Sequence, residues 1–235
     1  MTTTLITGAN KGLGYETARQ LIAAGHTVYL GCRDEQRGQS AADQLGARLV
    51  HLDVTDGASV SAAVRFIDER GGLDVLVNNA GVEGRGEHNS IIDAASATAE
   101  TVRAVFDTNV FGVVRVTHEF LPLLQRSSAP VMVNVSSSLG SFNLAGSPDS
   151  PTYLYPGVAY PASKAALNMI TIQLAKQFPT MRINAVEPGY TDTDLNGHTG
   201  TQTVQEGARI IVEMAQTAPD GPTGGYYSTH GPIPW

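Results

Sequence analysis

The run Thr4-Leu5-Ile6-Thr7 followed by Gly8-Ala9-Asn10-Lys11-Gly12-Leu13-Gly14 restricts the fold more than any other part of the chain. A short apolar strand enters a glycine turn. Leu13, Thr17/Ala18, Leu21 and Ile22 then recur at helical spacing, and Gly25 closes the pattern. Strand, glycine turn and helix in direct succession make the unit that receives a pyrophosphate. Glycines let the backbone approach the anion, and the free N–H groups of the first helical turn face it. Gly8, Asn10, Lys11, Gly12, Leu13 and Gly14 are the candidate contacts. The spacing is G-x-x-x-G-x-G rather than G-x-G-x-x-G, and a loop that needs glycine only for turning has the same residues. Its place between a strand and a helix favours dinucleotide binding.

Strands and helices alternate through the rest of the chain. Apolar strand runs are expected at His26–Cys32, Arg48–Leu52, Leu73–Val77, Val131–Val135, Met181–Val186 and Gly225–Thr229. Between them lie a polar helix ending near Leu45, one starting near Gly57, and a long one from about Ala97 to Gln125. A helix from Tyr160 to about Phe178 and another over Val204–Ala215 follow. This order predicts an α/β protein: a single-domain Rossmann fold with a doubly wound, seven-stranded parallel sheet and helices on both faces. No repeat or linker divides residues 1–235.

The tip of the second strand, Arg33-Asp34, is where such folds meet the adenosine ribose. An acid there suits a free 2′-hydroxyl and a base suits a 2′-phosphate. Arg33 comes first, and Lys11 lies close by in the glycine turn. Asp34 counters them unless it points away or pairs with Arg37. NADP(H) is therefore expected over NAD(H). Asp53, at the end of the third strand, suits either an adenine amino group or the cap of the next helix. Asp56 or Ser59 offers a second cap. Asn78-Asn79-Ala80-Gly81 at the end of the fourth strand fits close approach to a ligand, and equally a latch between strands.

Composition excludes several functions. The net charge is −7, against a nucleic-acid or anionic-membrane partner, both of which need a basic face. Cys32 is the single cysteine, and the six histidines never pair at ligand spacing, so no metal site is expected. No apolar run approaches a membrane span, and a strand beginning by Thr4 leaves no room for a leader. The expected location is the cytoplasm.

Chemistry concentrates in Ser136-Ser137-Ser138 and in Tyr160-Pro161-Ala162-Ser163-Lys164. Tyr160 and Lys164, four residues apart, share one helical face. A phenol beside an ammonium and a hydroxyl makes a proton-transfer site, although a surface Tyr/Lys pair has the same spacing. Asn109 interrupts the apolar face of the long helix, where an amide is unfavourable unless it has a task.

Taken in order, the glycine turn, Asp53, N-N-A-G, Asn109, the serine cluster, Y-x-x-x-K and Pro188-Gly189 resemble the short-chain dehydrogenase/reductase family over essentially the whole length. N-K-G in the turn and Arg33-Asp34-Glu35-Gln36-Arg37-Gly38-Gln39 look most like its NADPH-dependent carbonyl reductase branch. The resemblance implies a catalytic tetrad of Asn109, Ser137, Tyr160 and Lys164. Ser137 is chosen because S-S-x-x-G overlays Ser136 to Gly140, with Ser138 as the alternative. It further implies that Asp53, Val54, Asn79 and Gly81 line the adenosine side of the cofactor, and that Ala80 also contacts the cofactor. Pro188, Gly189, Thr191 and Thr193 would hold its nicotinamide end, and Lys164 the ribose. Asn109 would fix a water that connects Lys164 to solvent.

Ser137 and Tyr160 are 160 − 137 = 23 positions apart, where about thirteen is usual in the family that the motifs resemble. An insert over about residues 141–158 therefore precedes the Tyr160 helix. Such an insert can cover the helices through which other members form tetramers, so oligomeric state stays open. The implied reaction is hydride transfer from NADPH to a ketone or aldehyde, with Tyr160 donating the proton while Ser137 holds the carbonyl oxygen. Lys164 and the positive charge of oxidised nicotinamide are together expected to favour the phenolate; lowering a tyrosine pKa by about three units takes roughly 4 kcal/mol. The alternatives are the same chemistry run as alcohol oxidation, and a non-catalytic sensor of NADP redox state. Tyr153, Leu154, Tyr155, Tyr190, Leu195, Tyr226, Tyr227 and Trp235 could form an apolar lip for a medium-sized hydrophobic substrate, or simply pack as loops.

Overall fold

The apolar runs pair side by side in one sheet. In the computed structural model, which describes residues 2–235, the strands are β1 (Thr3–Thr7), β2 (Thr27–Cys32), β3 (Arg48–His51), β4 (Val75–Asn78), β5 (Val131–Val135), β6 (Arg182–Glu187) and β7 (Tyr226–Ser228). They are parallel, and a two-residue strand β8 (Gly231–Pro232) adds antiparallel to β7. The sheet order is β3-β2-β1-β4-β5-β6-β7-β8. The expectation of seven parallel strands omitted β8. That strand is too short to show a period, and its proline, lacking an N–H, fits only a sheet edge.

Side chains leave each strand on alternate faces. Ile6, Val77, Val133 and Val186 pack against α1 (Gly12–Ala23), α2 (Glu35–Leu45) and α8 (Val204–Ala215). Leu5, Leu76, Met132 and Ile183 face α3 (Gly57–Asp68) and, further along the chain, α5 (Val113–Leu124) and α7 (Ala159–Gln177). Both faces are covered, which explains why the strands read as unbroken apolar runs instead of alternating ones.

The long helix expected from Ala97 to Gln125 is not continuous. Thr98 caps α4 (Ala99–Phe106), a π-helical segment occupies Asp107–Gly112, and α5 follows. One wider turn leaves the apolar repeat nearly unchanged, so periodicity hides it. The insert forms α6 (Phe142–Ala145) between 3-10 turns at Ser138–Gly140 and Pro151–Leu154.

Strand order reverses between β1 and β4, and the loops leaving their carboxyl ends diverge to opposite faces of the sheet. In open α/β sheets this divergence makes the ligand crevice. Among the described residues, no helix is long and apolar enough to cross a membrane.

Candidate active site

A cavity of about 1040 Å³ opens at the carboxyl ends of the strands. Every residue proposed from sequence as a cofactor contact lines it, from Gly8 in the glycine turn to Thr193 beyond β6. Arg33 lines it as well. Asp34 does not: its carboxylate caps α2 by accepting from the Arg37 N–H and lies 3.4 Å from the Arg37 guanidinium. The two uses weighed for Asp53 and Asp56 are divided between them. Asp56 caps α3, whereas Asp53 lines the cavity and accepts from the Thr55 N–H and hydroxyl. Burial raises the Asp53 pKa, but these bonds and the Arg33 charge outweigh it and hold the carboxyl below its ordinary value.

The glycine turn is shaped by β4. Gly8 has φ +66°, and a Cβ on it would stand 2.9 Å from the Ala80 Cα. A Cβ on Gly14 would stand 2.5 Å from the Asn79 amide nitrogen. That amide donates to the Thr7 and Gly8 carbonyls at 2.8 and 3.2 Å, while the Thr7 hydroxyl accepts from the N–H groups of Asn79 and Ala80. Asn79 is thus a latch and a wall of the cavity at once. Lys11, at the N-cap of α1, makes no side-chain cap, and the first turn of α1 carries no acidic residue. An uncapped, glycine-lined helix start facing an open cavity fits the phosphates of a dinucleotide.

At the other end, α7 brings Tyr160 and Lys164 to the β5 terminus. The Lys164 ammonium lies 5.4 Å from the Tyr160 ring centroid and donates to the Val135 carbonyl at 2.7 Å. Ser137 is close enough to the Tyr160 phenol to act on it and favour its ionisation, whereas Ser138 acts on Glu187. Of the two serines, Ser137 is the one beside the phenol. Asn109 lies behind the cavity wall on the π segment, where it is 1% exposed. Its amide donates to the Val82 carbonyl (2.8 Å) and the Ser163 hydroxyl (3.0 Å), and its oxygen accepts from the Val82 N–H. Both amide protons are engaged by protein groups, so a water held by this residue would donate to one of its oxygens.

Without the charge of an oxidised nicotinamide, the Tyr/Lys pair alone does not favour the phenolate. Burial raises the Tyr160 pKa, and the charges of Glu83 and Glu187 raise it further, against the opposing effect of Ser137. Lys164 is itself pushed down to about 8 by burial. The protonated phenol is the favoured form in this protein, which suits a proton donor. Glu83 and Glu187 carried no sequence assignment. Glu187 had a visible signal, an acid ending a buried strand just before Pro188-Gly189. Of the apolar lip, Leu154, Tyr155, Tyr190 and Leu195 line the cavity. Tyr226 and Trp235 instead stack on each other, with centroids 5.2 Å apart.

Comparison with known proteins gives the same family. A model of the short chain dehydrogenase family matches residues 2–204. (+)-Neomenthol dehydrogenase of Capsicum annuum is 33% identical across 95% of this chain and 94% of its own. Salutaridine reductase from Papaver somniferum superposes with a TM-score of 0.84 at 32% identity, covering 97% of this chain and 99% of the other. NADPH-bound carbonyl reductase from chicken fatty liver gives 0.86 at 28% identity, covering 100% and 99%. The chain belongs to the short-chain dehydrogenase family. It is an oxidoreductase of that family that uses a nicotinamide cofactor and acts on small molecules.

Proposed function

We propose that the protein reduces the carbonyl of a medium-sized, hydrophobic ketone or aldehyde with NADPH, in one domain that carries both the cofactor cleft and the catalytic groups. The observation that carries this reading is the Ser137–Tyr160–Lys164 arrangement at the end of a cavity lined by a glycine turn. A reduced nicotinamide bound in the cleft supplies the hydride. Tyr160 gives its proton to the carbonyl oxygen, and Ser137 holds that oxygen by hydrogen bonding. Lys164, anchored on the Val135 carbonyl, reaches the ribose side of the cleft. Asn109 fixes the π segment against Val82 and Ser163, and so the back of the site.

The choice of NADPH rests on Arg33 and Lys11. Both are exposed cations on the cavity wall, and Asp34 is diverted to its cap and Arg37. In this structure Lys11 forms an ion pair with Asp194, which a 2′-phosphate would have to displace. Names of the relatives, including neomenthol dehydrogenase, salutaridine reductase and carbonyl reductase, fit hydrophobic cyclic ketones and alcohols as the substrate class. The apolar residues Ile91, Leu154 and Leu195 on the cavity wall fit the same class. The buried, unpaired Cys32 agrees with a reducing, cytoplasmic setting.

Fluorescence titration with NADPH and NADH, followed by NADPH consumption on a panel of such ketones, tests the reading. Tighter binding of NADPH and turnover of at least one ketone are expected. Equal affinities would remove the 2′-phosphate assignment, and binding without turnover on the whole panel would favour a redox sensor.

A further inference from the structure

Beside the phenol lies a second buried polar group that the reaction, as described so far, does not use. Glu83 follows the N-N-A-G turn, and its side chain is 9% exposed. One carboxylate oxygen accepts from the Tyr155 hydroxyl at 2.7 Å. The other accepts from the Arg85 guanidinium, with Nε and one terminal nitrogen each at 2.8 Å. Arg85 also donates to the Leu195 carbonyl at 3.2 Å and to the Asn89 carbonyl at 2.8 Å. His88 and Asn89 both have left-handed backbone, with φ of 53° and 62°, a conformation that persists only where surroundings hold it.

These contacts join three segments that the sheet leaves independent. Glu83 and Arg85 belong to the loop after β4, Tyr155 to the insert before α7, and Leu195 to the segment after Pro188-Gly189. All four line the cavity. The insert is further tied to this loop by the Ala94 N–H donating to the Pro156 carbonyl at 3.1 Å and by a bridge between Asp93 and Gly157.

We propose that Glu83 is a positioning residue for the reduction: through Tyr155 and Arg85 it fixes three walls of the substrate end against one another, in the same cavity as the phenol that donates the proton. This inference rests on the assignment of Tyr160 as donor above. The phenol also faces Glu187, Tyr155, Tyr226 and Lys164. Among the acids near it, Glu83 alone has an ion-pair partner among the described residues. Its influence can therefore be changed in either direction, by removing its charge or by removing the charge that balances it.

The test is the pH profile of the reverse reaction, oxidation of the corresponding alcohol with NADP+, which requires the phenolate and so reports the acidity of Tyr160 on its acid limb. Glu83→Gln removes a negative charge and should move that limb down by about half a pH unit or more. Arg85→Met leaves the Glu83 charge unbalanced and should move it up. Both variants should raise KM for the carbonyl substrate about tenfold, with NADPH affinity within about threefold of wild type. Tyr155→Phe keeps every charge and should raise KM without moving the limb. Damage to the fold alone would not send two variants in opposite directions.

Limbs of Glu83→Gln and Arg85→Met that coincide with wild type, or move the same way, would overturn the inference while leaving the reductase reading intact. If Glu83→Gln does not fold, a shifted limb in Tyr155→Phe, or none in Arg85→Met, would overturn it as well. Failure of the wild-type protein to turn over any ketone or alcohol would instead remove the reductase reading and this inference with it.

Discussion

At the glycine turn, the Thr7 hydroxyl and the Asn79 amide tie β1 to β4 by hydrogen bonds to main-chain groups, and the backbone forms much of the wall. Beside Tyr160 the walls are long side chains from three loops, held by the Glu83–Arg85 pair and the Tyr155 hydroxyl. The first arrangement depends on two short side chains reaching across paired neighbouring strands and on the absence of Cβ atoms. The second depends on charges in a half-buried setting, where removing one partner leaves the other exposed to desolvation. One end of the cleft is thus specified by steric necessity and suits a part common to all its ligands. The other is specified by polar contacts and suits a part that differs between relatives.

If the two ends are this separate, substitutions should divide between them. The largest effect should come from Tyr160→Phe, which removes only the proton. Turnover should fall about 10²–10⁴-fold, the usual range for a lost general acid. NADPH affinity should hold, as titration would show. Retained turnover would remove Tyr160 from the chemistry.

Next in size is the pH dependence of the cofactor-free protein. Lys164 has its pKa at about 8 against the ordinary 10.5. Between these values the unfolded chain binds a proton that the folded protein has released, so stability rises with pH across that window. The penalty of the buried ammonium is present in full below about pH 8. Relative to Lys164→Met, wild type should gain up to about 3 kcal/mol between pH 8 and 10.5, read from urea midpoints. Parallel curves for the two proteins would show that the ammonium is not desolvated.

A change at the opposite end, Gly8→Ala, should act through the fold. The added Cβ meets the Ala80 backbone at a positive φ, and a loss of about 2 kcal/mol in unfolding free energy is expected. An unchanged melting temperature would mean that the turn is looser than the contact with Ala80 implies. The smallest effect expected is for Lys11→Ala, because its present partner Asp194 is also exposed. NADPH binding should weaken about tenfold with NADH unaffected, in line with loss of one phosphate contact. Equal weakening of both would place Lys11 away from the 2′-phosphate.

The same division governs what could be read in the chain. Strand limits, the glycine turn and the Tyr160/Lys164 spacing are local patterns, whereas Ser137 came from the family resemblance; β5 and α8 fall on the residues expected. The π segment at Asp107–Gly112 was hidden because one extra residue in a turn barely disturbs an apolar repeat. Asn109, unfavourable in an ordinary helix, marked the place without revealing its cause. The contact of Glu83 with Tyr155 joins residues 72 positions apart, and no periodicity predicts it. For the same reason the raised pKa of Tyr160 in the cofactor-free protein was not legible. Helical spacing showed the lysine one turn away but not the two carboxylates, one on the loop after β4 and one at the end of β6.

The central claim is that this cleft transfers hydride to a carbonyl carbon. Incubation with NADPH carrying deuterium at nicotinamide C4, followed by mass spectrometry of the alcohol formed from a panel of hydrophobic cyclic ketones, tests it most directly. Using cofactor labelled on either face of the ring, the account predicts one deuterium at the carbinol carbon from one of the two labels. The same labelled cofactor, bound to the protein but passing no deuterium to any ketone, would contradict it.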